Sequence, residues 1–114
     1  MLVRDQYLDT LKKFKDINLI KVITGVRRSG KSVLLLQFKD YLLKEGIKEE
    51  NIIYINFESI QWDDIRTYKE LYDYIKFRDS EKRMYILLDE VQNVIKWEKA
   101  VNSMLVDFDC DIYI

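Results

Sequence analysis

Apolar residues along this chain fall into two alternating kinds of run, helix-spaced and continuous. Leu8, Leu11 and Phe14 recur at helical spacing and predict an amphipathic helix from Leu2 to Lys15, within an N-terminal segment 1–16. Leu19-Ile20-Lys21-Val22-Ile23-Thr24 is a β-branched run of strand length. Leu34, Phe38, Tyr41 and Leu42 then stand at i, i+4, i+7 and i+8, which predicts a helix from Ser32 to Glu45 with Gly46 at its C-terminal end. Asn51 to Phe57 reads as a second strand, and residues 58–66, with Trp62, as a loop. Tyr68 to Phe77 predicts a helix that turns Tyr68, Leu71, Tyr72 and Ile75 inward. Met84 to Leu88 is apolar without polar alternation, the pattern of a strand buried on both faces, and it ends in Asp89 and Glu90. Trp97, Val101, Met104, Leu105 and Phe108 mark another helix, and Asp111 to Ile114 begins a fourth strand.

Strands alternating with helices imply an α/β fold with a parallel sheet and right-handed crossovers. The 114 residues, 48% of them hydrophobic, suffice for one domain with a packed core, and nothing in residues 19–114 suggests a boundary within it. The apolar, unfinished last strand leads us to expect a piece of a longer protein, truncated after the fourth strand.

Charge and composition narrow the chemistry. A net charge of −1 gives no field that would draw the chain to nucleic acid. Lys12, Lys13 and Lys15 are read as a solvated helix face. The aromatic residues of the 68–77 helix are read as core, because base-stacking residues would not follow the spacing of a buried face. Without histidine, neither Ser-His nor Cys-His catalysis nor a His-ligated zinc is available within the chain. The single cysteine, Cys110, allows no internal disulfide, is read as a small buried strand residue, and suits a reducing, cytoplasmic compartment. No run of apolar residues is long enough to span a membrane.

The candidate chemistry lies between the first strand and the helix after it. Gly25-Val26-Arg27-Arg28-Ser29-Gly30-Lys31-Ser32, followed by Val33, reads Gly-x-x-x-x-Gly-Lys-Ser, the phosphate-loop pattern. From average residue usage it arises by chance in roughly one of a few hundred chains this short. The flanking strand and helix are the context the motif requires. Glycines allow the sharp bend, the bent backbone aims N–H groups at phosphate oxygens, and the helix N-terminus adds its partial positive charge. Lys31 is expected to reach the β- and γ-phosphates and Ser32 to ligate Mg²⁺. Asp89, at the tip of an apolar strand, would complete the Mg²⁺ site, and Glu90 would polarise a water for attack on the γ-phosphate. Ligands gather at the carboxyl ends of strands in open α/β sheets, so the two motifs predict one place.

Three stretches resemble prokaryotic AAA+-type ATPases. They are Thr24 to Ser32, Tyr54-Ile55-Asn56-Phe57-Glu58, and Leu88-Asp89-Glu90-Val91-Gln92 followed by Trp97-Glu98. The likeness is greatest to archaeal and bacterial predicted ATPases of several hundred residues. It implies a three-layer P-loop core with strand order 5-1-4-3-2, so that the last strand here lies between the first and the carboxylate-bearing one. It also implies ATP and Mg²⁺ as ligands. Gly25, Gly30, Lys31 and Ser32 match the phosphate loop, Asp89 the metal-linked aspartate and Glu90 the catalytic glutamate. It further implies that Asn56 hydrogen-bonds the glutamate and switches it off. Sensor, fifth strand and a C-terminal nuclease-like region would follow in the longer protein, and no arginine here is an evident trans-acting finger. Slow or absent hydrolysis is therefore expected of this chain alone.

The leading expectation is ATP binding and Mg²⁺-dependent hydrolysis. The alternative is a non-catalytic module that ATP orders for a partner; a P-loop kinase fits less well, and no guanine-reading Asn-Lys-x-Asp segment occurs. A homo-oligomer or a protein partner, reached through the C-terminal region, is the partner class left open.

Overall fold

The computed structural model describes residues 2–17, 19–23 and 28–114, and of residues 2–5, 28 and 29 the backbone alone. Three parallel strands, β1 (Ile52–Asn56), β2 (Met84–Asp89) and β3 (Cys110–Tyr113), form a sheet in the order β1-β2-β3. Helices α1 (Leu2–Phe14) and α2 (Arg28–Lys44) cover one face, and α3 (Tyr68–Arg78) and α4 (Trp97–Asp107) cover the other.

Strand parity produces the three layers. Side chains alternate between the two faces of a strand, so Ile52, Tyr85, Leu87 and Tyr113 pack with Leu34, Leu35, Phe38 and Leu42 of α2. The intervening positions, among them Ile53, Ile55, Met84, Ile86, Leu88 and Ile112, pack with Leu71 and Ile75 of α3 and Val101 and Met104 of α4. Every residue of β2 is buried, as its unbroken apolar run predicts.

Local chemistry sets the helix ends. Gly46 takes φ +94°, its N–H donates to the Leu43 carbonyl (3.1 Å) and Ile47 N–H to that of Leu42 (3.1 Å), a Schellman close for α2. Thr67 caps α3 reciprocally with Glu70: Thr67 Oγ1 accepts from Glu70 N–H, and Glu70 Oε1 from Thr67 N–H.

Several expectations shift. The predicted first strand shrinks to a bridge between Lys21 and Tyr113, with backbone bonds from Lys21 to Ile112, Ile114 to Lys21, and Ile23 to Ile114. Leu19 N–H donates to the Ile17 carbonyl at 2.7 Å, and the bonds to the β3 segment begin at Lys21. Its place is still beside β3, on the side away from β2. Within residues 58–66 the chain makes a short 3₁₀ turn over Ile60–Trp62. Phe14 is 47% exposed, because α1 ends there and Leu11 takes the inward position. Helix α2 begins four residues before Ser32, inside the glycine motif itself.

Candidate nucleotide and metal site

The earlier start of α2 places the second half of the glycine motif in a helix's first turn. The first four N–H groups of a helix have no intrahelical partner. No acidic residue lies in the first turn of α2, whereas Arg28 and Lys31 do. A lysine in the first turn of a helix opposes its dipole, an arrangement that an anion relieves. Lys31 is partly buried and forms no ion pair with the described residues. Gly25, Val26 and Arg27 lie outside the described residues, as do the side chains of Arg28 and Ser29. Gly30 is partly buried in the first turn. Val33 turns away: its side chain lines the groove between α1 and α2 with Leu8 and Leu36.

Ser32 meets Asp89, 57 positions further along the chain. Helix α2 lies over β1 and β2, and Asp89 shares the parity of Leu87, the strand face that α2 covers. The Ser32 hydroxyl donates to Asp89 Oδ2. A second donor reaches the same oxygen, the Tyr54 phenol at 3.2 Å. Burial first, and then the charge of Asp89, push the Tyr54 phenol up to about 12, so it holds its proton and donates. Asp89 is fully buried (0% exposed), and its Oδ1 has no hydrogen-bond partner among the described residues. The sequence alone assigns Tyr54 no role. Its one signal was parity, since Tyr54 and Asn56 alternate onto one face of their strand.

Glu90 leaves the strand abruptly. Its backbone takes φ 59° and ψ 41°, the left-handed region, as the chain enters a 3₁₀ turn over Val91–Asn93. A non-glycine residue there costs on the order of 1–3 kcal/mol, and such strain gathers at functional sites. Glu90 is 7% exposed, and Oε1 accepts a hydrogen bond from Gln92 Nε2. Asn56 pairs with Asp89 in the sheet register, but no hydrogen bond joins it to Glu90. Its Oδ1 accepts instead from the Glu58 N–H (3.0 Å), the local turn-forming bond a strand-end Asn favours. Gln92, and not Asn56, thus bonds the Glu90 carboxylate.

The donors suit a small hard cation. Ser32 commits its hydrogen to Asp89, which leaves the hydroxyl lone pairs available, and Asp89 keeps one buried oxygen unpartnered. No group of three or more His, Cys, Asp or Glu that could cage a metal occurs among the described residues. Mg²⁺ needs none when a polyphosphate and water complete its shell.

Comparison with known proteins gives a family. The model of a family described as an AAA domain matches residues 18–114. An uncharacterized protein of Haemophilus influenzae is 47% identical over 116 residues, covering 100% of this chain and 29% of that protein. An uncharacterized protein of Methanocaldococcus jannaschii is 38% identical over 88 residues, 76% of this chain and 19% of that protein. The chain thus spans less than a third of the curated relatives it matches. No solved structure matches it. No helix among the described residues is long and apolar enough to cross a membrane.

Proposed function

The chain belongs to the AAA domain family, and from that premise we propose that it binds ATP with Mg²⁺ and supports ATP hydrolysis in the full-length protein. One observation carries the reading: a P-loop serine donates its hydrogen to a buried carboxylate whose other oxygen is unpartnered. That leaves oxygen lone pairs on two side chains at the carboxyl end of β2, beside the start of α2. Ser32 and Asp89 hold the metal, directly or through water, and Tyr54 steadies Asp89. When bound, Mg²⁺ neutralises the β- and γ-phosphate oxygens. Lys31 and the free N–H groups of the first turn of α2 hold the phosphates. Glu90 orients and deprotonates the attacking water, and Gln92 sets the resting direction of its carboxylate.

Glu90→Gln tests the assignment. It keeps the shape of the side chain and removes the base, so turnover should fall by about 10²–10⁴-fold with nucleotide affinity unchanged. Normal turnover by that variant would refute the role of Glu90. ATP binding without phosphate release by the unaltered full-length protein would favour a nucleotide-gated module, a reading consistent with the engagement of Glu90 by Gln92.

A further inference from the structure

We propose that Tyr54 is a positioning residue for the metal site: its phenol fixes the rotation of the Asp89 carboxylate, so that Oδ1 is the oxygen offered to the cation. The inference rests on the ATP–Mg²⁺ reading above. Tyr54 stands opposite Leu87 in the register, two residues before Asp89 on the same face. From there its hydroxyl reaches forward to Asp89 Oδ2 at 3.2 Å. The ring packs against the core between the sheet and α2, so packing holds the phenol in place independently of the hydrogen bond. Oδ2 then accepts from two elements at once, Ser32 on α2 and Tyr54 on β1. A rotation of the carboxylate would forfeit both bonds. Oδ1 stays buried and unpartnered as a consequence. Groups that hydrogen-bond a metal-ligating side chain commonly set its affinity for the metal as strongly as this arrangement requires.

Tyr54→Phe removes the hydroxyl and keeps the ring. Mn²⁺ stands in for Mg²⁺ at oxygen donors, and its uptake by the full-length protein is read by electron paramagnetic resonance in the presence of a non-hydrolysable ATP analogue. The expected result is Mn²⁺ affinity weakened about tenfold, with the metal-free affinity for the analogue unchanged. Equal Mn²⁺ affinity in the two proteins would overturn the inference. So would an equal loss with and without metal, which would make Tyr54 a packing residue only. If the unaltered protein takes up no Mn²⁺ with the analogue, the ATP–Mg²⁺ reading itself falls, and the role of Tyr54 with it.

Discussion

Two aspartates on neighbouring strands are almost equally buried, Asp89 at 0% and Asp111 at 1% exposure, yet their surroundings differ in kind. Asp111 is saturated. Lys21 Nζ donates to its Oδ1, the Tyr113 phenol (2.6 Å) and the Asp16 N–H (2.8 Å) donate to its Oδ2, and Arg83 stands 4.0 Å away. Burial, together with the hydrogen bond to Asp111, raises the Tyr113 phenol well above its ordinary value, which keeps it a donor. Asp89 has two neutral donors on one oxygen and nothing on the other, and no cation pairs with it among the described residues. A buried charge is expensive unless it is paired. The saturated carboxylate fastens α1 and the Lys21 segment to the sheet. The unsaturated one, at the opposite end of β2 from Tyr85, is where a cation would relieve the cost.

The contrast predicts opposite responses to removing charge. The largest effect should come from Lys21→Met, which removes the cation bonded to the buried Asp111 and leaves it only Arg83, 4.0 Å away. Removing one partner of a buried pair typically costs about 3–5 kcal/mol, read as a loss of unfolding free energy in urea. A double variant that also replaces Asp111 by Leu should recover part of the loss, because the charge left behind is then gone. A cost below about 1 kcal/mol for Lys21→Met, the range of exposed pairs, would erase the distinction between the two ends.

Asp89→Asn should do the reverse. Without metal or nucleotide the variant should be as stable as the parent, or more so by about 1 kcal/mol, since an unpaired buried amide costs less than an unpaired buried charge. With Mg²⁺ and ATP analogue the order should invert. Ligand at a hundredfold excess over its dissociation constant adds about 2.7 kcal/mol to the protein that binds it, and the variant should gain little from the metal. Thermal unfolding with EDTA and then with Mg²⁺ and analogue reads both signs. A variant destabilised without ligand would make Asp89 a structural residue like Asp111.

How much of this was legible in the chain depends on the range of each contact. The glycine motif was legible as a motif because its spacing is local. The meeting of Ser32 with Asp89 was legible because Asp89 ends an apolar strand and Ser32 lies near the start of a helix that an α/β topology packs against the sheet. Helix α3 and helix α4 followed from periodicity. The role of Tyr54 was not legible, because it depends on the register between β1 and β2, which no local pattern reports. Lys21 did carry a signal: a lysine inside an apolar run demands a buried partner, but choosing Asp111 from 20 acidic residues requires the fold. The expected bond between Asn56 and Glu90 failed for a local reason. The left-handed turn at Glu90 brings Gln92 to its carboxylate, while Asn56 satisfies the Glu58 N–H.

The smallest effect concerns the rim of the saturated end. Burial would raise Asp16, but hydrogen bonds from Tyr85, Lys15 and Arg83 outweigh it and hold the carboxyl below its usual range. A carboxyl lowered by folding contributes stability that is fully present above its unfolded value, near 3.9, and lost as pH falls through the lower folded value. At 44% exposure solvent screens the group, so the contribution should stay within the exposed-pair range of about 1 kcal/mol or less. Asp16→Asn should remove it, so the unfolding free energies of parent and variant, separated at pH 6, should converge below pH 3. Its N–H bond to Asp111 survives the substitution, which confines the difference to the side chain. Curves that stay parallel across that range would show that the Asp16 charge adds nothing, and that the saturation of this end rests on Asp111, Lys21 and Tyr113 alone.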